Sequence, residues 1–261
     1  MPQLSDAAVR EAAEQLVQRR LTGEPGDLLP EALRPRDVAD ALRIQQAFAD
    51  RWCHLQDDSI GGWKCLQPTA DKLIVAPIFT STINTFAPVT LKATRDRAAV
   101  EPELAFYLAR DLPAREAPYT AAEVDAAIGR THLALELIHC RYAAPETAGF
   151  ADNLADNLVN QGLFVGPEVD GKAAETAGEI GLRAEADGAA FFEGQGRHPN
   201  GAPRLPIYWL AEFLSRQGRG LQAGQVIITG SYAGIIEAPL KQTIRIHYQG
   251  LGTLEAAFLA G

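Results

Sequence analysis

Along the first sixty residues, apolar positions recur with a period near 3.6. Over 8–20, Val9, Ala12, Ala13, Leu16 and Val17 share one helical face, with Ser5 placed as an N-cap. A connection rich in Gly, Pro and Asp follows over 22–35, and Asp37 caps a second helix, VADALRIQQAFADRWCHL. Its Val38, Ala41, Leu42, Gln45 and Phe48 recur at helical spacing, the mark of a stripe buried against another layer. Neither helix carries an obvious reactive site, so both read as support for the rest of the chain.

At Gly61-Gly62 this region ends and the texture changes. GGWKCLQP, LIVAPIF and INTFAPVTLK are short apolar runs broken by Pro and Gly, the pattern of strands joined by tight connections. A longer strand covers 97–106 and closes at Asp111-Leu112-Pro113. Thr120 and Glu123 form a capping box for a helix through Ile128, and THLALELIHCRY is a second buried strand. FADNLADN reads as a polar loop before a further strand, and GLRAEADGAAFFEG as a hairpin turning at Asp187-Gly188. Residues 205–217 are helix-like, and the end from Gln225 reads as three strands, the first two joined through a Gly-rich turn. The predicted organisation is a helical segment over 1–60 and a β-rich unit over 61–261. It is of the α+β class, with a largely antiparallel or mixed sheet in place of βαβ alternation.

Composition narrows the function. The chain has 261 residues, 47% hydrophobic and 22% charged, as expected of a globular protein. A net charge of -9 without a basic patch argues against nucleic acid. The longest apolar runs are too short to span a bilayer, and the N-terminus lacks a signal peptide's apolar core. Cys53, Cys65 and Cys140 have no metal or redox spacing and suit a reducing compartment. The expectation is a cytoplasmic protein with neither a membrane nor a nucleic-acid partner.

The chemistry concentrates in AAVEPELAF. Glu101 and Glu103 are two apart in a strand and point to one face, between Val100, Leu104 and Phe106. Two like charges there are costly without a cation, and carboxylate oxygens suit Mg²⁺ or Mn²⁺. The alternative is an edge strand with two solvated acids, which Pro102 also suits. Glu136 is a third acid inside an apolar strand: either it completes a three-carboxylate site, or it pairs with Arg130 or Arg141. Lys64 is a surface loop lysine or the cation beside the acids, where partial desolvation would depress its pKa and let it shuttle protons. TGSYAG, over 229–234, offers backbone N–H groups and hydroxyls to an anion, or is an ordinary glycine turn. Asp152 and Asn153 read as loop residues; Asp156 and Asn157 either belong with them or line a site.

VEPELAF, LARDLP, ALELIHCR, FADNLADN, GLQAGQVIITG and GLGTLEAAF, taken in order, resemble the 2-keto-4-pentenoate hydratase and 4-oxalocrotonate decarboxylase group of the fumarylacetoacetate hydrolase superfamily. The resemblance runs from about Trp63 to the end, and IQQAF fits the N-terminal part. It implies an α+β fold built on a rolled, mixed sheet with N-terminal helices, often assembled as a homo-oligomer. It also implies that Glu101, Glu103 and Glu136 bind Mg²⁺ or Mn²⁺, which chelates the carboxylate and 2-oxo group of a small 2-oxo acid. Lys64 and Ser231 are the implied catalytic residues, and Thr229, Gly230 and Asn157 the implied substrate-binding ones. The implied activity is a hydratase (hydro-lyase) acting on a 2-hydroxy-2,4-dienoate or 2-oxo-4-enoate in the catabolism of aromatic compounds.

Two departures keep other readings open. The stretch VAPIFTSTI lacks the acid that many hydratases carry in an Asp-[Phe/Tyr]-Gly segment, and the turn is TGSYAG where TGALG is usual. A decarboxylase, tautomerase or acylpyruvate-type C–C hydrolase therefore remains possible on the same scaffold, as does a non-catalytic 2-oxo-acid-binding protein. RHPNGAPRLP is longer than the usual connection and is expected to alter a pocket wall.

Overall fold

The computed structural model describes residues 3–70, 72–93 and 95–261. Two helices come first, α1 (Asp6–Thr22) and α2 (Val38–Gln56), followed by strands β1 (Ile60–Cys65), β2 (Val75–Phe79), β3 (Ile83–Asn84), β4 (Val89–Leu91) and β5 (Arg97–Leu108). Then come α3 (Ala121–Ala127), β6 (Ile128–Ile138), α4 (Phe150–Ala155), β7 (Asn160–Val169), α5 (Gly171–Glu175), β8 (Glu179–Ala186) and β9 (Ala189–Arg197). The chain finishes with α6 (Leu205–Arg216), β10 (Val226–Ile228), β11 (Ile236–Pro239), β12 (Thr243–Tyr248) and β13 (Gly252–Ala260).

The larger sheet is mixed, in the order β2-β1-β10-β5-β6-β7-β3, with β11 also pairing β5. The second sheet runs β4-β13-β12-β8-β9. Register decides the rest. Lys64 stands opposite Ile228 and Ala76, Glu101 opposite Glu136, and Glu136 opposite Leu163. With side chains alternating, one face of the large sheet therefore carries Lys64, all three acids and a small apolar cluster that includes Ile78, Ala105, Ala134 and Ile228. The other face carries Trp63, Leu104, Phe106, Leu133 and Leu135 into the main core, against Ile244, Phe258 and α6.

The helices form for the reasons legible in the sequence. Ser5 accepts from the Ala8 N–H and Asp37 from the Asp40 N–H, each satisfying a donor that the first turn leaves free. The stripe on α2 differs slightly from the expected one: Ile44, Phe48 and Trp52 are its buried large residues, while Leu42 is only half-buried. They share a core with Ala76, Phe79, Tyr142 and Leu154, so the helical segment is packed onto the sheet. The capping box of α3 and the Asp187-Gly188 hairpin are as expected, the latter with both residues at the positive φ that such a turn requires (50° and 80°).

Three expectations are corrected. Gly61 and Gly62 do not end a region but lie inside β1. A Cβ on Gly62 would sit 2.2 Å from the Val226 carbonyl oxygen, so this glycine permits close backbone approach. FADNLADN is not a loop; its first part, FADNLA, forms α4, with Asp152 accepting from the Gly149 N–H at 2.8 Å and bound by both Nε and Nη2 of Arg34. The C-terminal region holds four strands, because β11 leaves its neighbours to pair with β5. Among the described residues no helix is long and apolar enough to cross a membrane.

Candidate metal centre

The pleat of β5 sends Glu101 and Glu103 to one side, and the β5–β6 register sets Glu136 directly opposite Glu101. One carboxylate oxygen from each of the three lies within 4.8 Å of the others. Glu103 and Glu136 are buried, at 2% and 0% exposure.

Pro102 resolves the question of an edge strand. Strand β10 pairs with β5 only over 105–107, and β11 only over 97–100. The gap between them spans Pro102, so a central strand accommodates a proline without losing a ladder bond there. Its carbonyl accepts from the Tyr232 N–H at 3.1 Å and from Ser231 Oγ at 3.3 Å. The turn over 229–234 fills this gap, and the Gly230 N–H donates to Glu103 Oε2 at 2.6 Å. Gly230 has φ 119°, and a Cβ there would come within 2.6 Å of Leu66. This is a position for glycine alone.

Lys64 reaches the acids from β1. Its Nζ donates to Glu136 Oε1 at 2.6 Å and to the Leu158 carbonyl at 3.3 Å. Asn160 Nδ2 donates to the same Oε1 at 2.8 Å, while Glu136 Oε2 has no partner among the described residues. Asn157, Leu158 and Val159 all have positive φ (57°, 51° and 57°), a strained run that turns the Leu158 carbonyl toward the ammonium.

Electrostatics follow from this crowding. Burial, then the charge of Glu136, pushes Glu101 up to about 7. Burial, Glu136 and Glu101 together push Glu103 well above the carboxylate range. For Lys64, burial acts to lower the pKa, but the facing Glu136, Glu101 and Glu103 outweigh it and the amine is held above its ordinary value. That corrects the expected depressed amine: three acids face one cation, so the ammonium is the favoured form. Three carboxylates, one ammonium and an unpartnered carboxylate oxygen form a hard-oxygen set short of positive charge, and the residues fit Mg²⁺ or Mn²⁺.

The centre opens into a cavity of about 370 Å³. Lys64, the three glutamates, Gly230 and Ser231 line it, and Leu66, Ile74, Leu158 and Pro199 give it apolar walls. Pro199 belongs to the long 197–206 connection, which therefore does form a pocket wall; Asn200 Oδ1 fastens it by accepting from the Gln67 N–H at 3.0 Å. Two expected residues stand elsewhere. Thr229 is buried behind the lining, with its Oγ1 3.4 Å from His198 Nε2. Asn157 is fully buried next to Leu158, and both its amide atoms are without partners among the described residues. Asp156 is not a site residue either: it is paired with buried Arg141, both oxygens 2.9 Å from Nε, which removes Arg141 as a partner for Glu136. Arg130 lies over the Tyr107 ring. Sequence reasoning missed Asn160 and the Leu158 carbonyl. The only available signal was an amide residue opening a strand beside one already known to carry an acid.

The family model described as fumarylacetoacetate (FAA) hydrolase C-terminal matches residues 63–259. A 2-keto-4-pentenoate hydratase of Paraburkholderia xenovorans is 26% identical over 255 residues, which cover 95% of this chain and 94% of that one. A 4-oxalocrotonate decarboxylase of Pseudomonas sp is 29% identical over 159 residues, covering 59% and 58%. Among solved structures, the 4-oxalocrotonate decarboxylase from Pseudomonas putida G7, complexed with magnesium and adipate, superposes with a TM-score of 0.81 at 19% identity. That match covers 99% of this chain and 100% of the other, and it establishes likeness of fold.

Proposed function

The chain belongs to the fumarylacetoacetate hydrolase C-terminal family, and from that premise we propose that it is a divalent-metal-dependent hydro-lyase acting on a 2-hydroxy-2,4-dienoate or its 2-oxo-4-enoate form. One observation carries the reading: three clustered carboxylates with a lysine among them at the wall of a cavity of substrate size. Glu101, Glu103 and Glu136 would hold Mg²⁺ or Mn²⁺. When bound, the ion supplies Lewis-acid polarisation of a 2-oxo acid's oxygen.

The chain's own residues do the remainder. Lys64 keeps its proton at Nζ, so it acts first as a hydrogen-bond donor that orients an anionic substrate and neutralises charge developing on it. Ser231 Oγ, on the cavity wall, holds a substrate carboxylate oxygen or a water. Gly230 contributes by pinning Glu103, and Thr229 by seating the turn against His198. Asn157 does not line the cavity, so its proposed part is to support the Leu158 wall and not to contact the substrate or that water. Leu66, Ile74 and Leu158 exclude bulk water and contact the hydrocarbon part of the substrate. The proposed setting is the cytoplasm and the proposed assembly a homo-oligomer, for which Phe86, 85% exposed, offers an apolar contact.

A second reading is the loss of carbon dioxide from a 2-oxo dicarboxylate. Strand β2 and the turn after it, covering VAPIFTSTI, carry no acid to activate water. The purified protein with Mg²⁺ should hydrate 2-hydroxypenta-2,4-dienoate, and both EDTA and Glu101→Gln should abolish that turnover. Carbon dioxide release from 4-oxalocrotonate without hydration would select the second reading. Metal and ligand binding with no turnover of either substrate would overturn both.

A further inference from the structure

A second cavity, of about 330 Å³, lies on the opposite side of β1 from the acids, bounded by α2, α6 and β2. Trp63 lines it. Being next to Lys64 in the strand, it points to the other face of the sheet. Its residue exposure is only 4%, and its Nε1–H has no hydrogen-bond partner among the described residues. A buried indole N–H normally has one, and leaving it unmade is costly.

Arg219 covers this ring, its guanidinium carbon 5.0 Å from the ring centroid. Among the described residues it has no carboxylate in ion-pair contact; its one side-chain hydrogen bond goes to Gln46 Oε1, whose own amide nitrogen donates to Asp50 at 2.7 Å. The remaining guanidinium N–H groups are uncommitted. Of the other polar lining groups, Arg43 and Gln45 are already engaged. Arg43 is held by the Leu4 carbonyl and Asp6, and the Gln45 amide donates to the carbonyls of Val75 and Leu154. Among the described residues no acid lines the cavity, while Leu42, Val75, Phe213 and Leu214 give it apolar walls.

We propose that this crevice between α2 and α6 is a second ligand site, which takes a small organic carboxylate through Arg219 and the Trp63 indole N–H. A guanidinium fork matches a carboxylate in geometry and charge, and the indole N–H adds a third donor. The apolar walls select an anion with a hydrocarbon body over a fully hydrated one such as phosphate. The site is separate from the metal centre, since the two open on opposite faces of one strand and share no lining residue.

The test uses the full chain, loaded with Mg²⁺ and labelled with ¹⁵N at tryptophan, and the Trp63 indole resonance is identified by its loss in Trp63→Phe. Titration with hexanoate should shift that resonance saturably, and hexanamide should not. Arg219→Gln should weaken hexanoate binding at this site about tenfold or more, the loss expected of a charge-assisted hydrogen-bond pair. Arg219→Lys should weaken it less, which separates lost recognition from lost folding. Glu101→Gln should leave the shift unchanged, so failure of the metal reading does not touch this one. No saturable shift of Trp63, equal affinity in Arg219→Gln, or inorganic phosphate competing as well as hexanoate would overturn the assignment.

Discussion

Lys64 and Glu101 are the two residues whose states most directly report the character of the site. Without metal, folded Glu101 keeps its proton up to about 7, while the unfolded chain releases it near the ordinary 4.5. Between those values the folded state binds more protons, so this contribution to stability is complete below the lower value and is lost as pH rises through the upper one. Urea unfolding in EDTA should therefore give a lower midpoint at about pH 8 than at about pH 5, and Mg²⁺ should reverse the difference by favouring the charged carboxylates. A midpoint independent of pH in EDTA would refute the crowded-carboxylate account. Replacing Lys64 by Met strands Glu136, which is fully buried. The expected cost is about 3–5 kcal/mol of metal-free stability. Turnover of the dienoate should fall by about 10²–10³, measured at saturating Mg²⁺. At this scale the sequence was informative: acids within apolar runs are anomalous in any fold. The sign of the Lys64 shift was not, because it depends on how many carboxylates the fold brings to the amine.

Among the elements, local devices were legible and long-range pairings were not. The capping box of α3 is made by Thr120 and Glu123, three residues apart in the chain. Thr120→Ala should cost about 1 kcal/mol in thermal unfolding and leave Mg²⁺ affinity unchanged. Gly62 depends on a distant neighbour, Val226, whose carbonyl oxygen would be 2.2 Å from an added Cβ. Gly62→Ala should cost about 1–3 kcal/mol and, by pushing β1 from β10, also weaken Mg²⁺ binding in calorimetric titration. An unaltered metal affinity would show that Lys64 is insulated from its strand. The same distinction explains the misread segments. Asp and Asn made FADNLADN look like loop, although Arg34, more than a hundred residues away in the sequence, anchors its Asp152. Strand β11 could not be separated from its neighbours because its partner is β5.

For the whole molecule, the helices are the decisive test of organisation. We propose that 1–60 serves as a structural cover for the β-rich remainder, since Ile44, Phe48 and Trp52 share a core with Phe79, Tyr142 and Leu154. A chain beginning at residue 57 should aggregate or unfold well below the full chain, seen by light scattering and circular dichroism; equal stability would make the helices dispensable. The sequence by itself determined the helical start and the strand-rich remainder, and it singled out the three acids and Lys64 as candidates. Helix periodicity, capping and the anomaly of charge in an apolar run are local properties. Only the tertiary structure decided that Glu101 faces Glu136, that Pro102 falls in the gap between β10 and β11, and that Asn157 stands behind the lining. Those facts depend on register between strands distant in the chain, where a shift of one residue would turn every side chain to the other face.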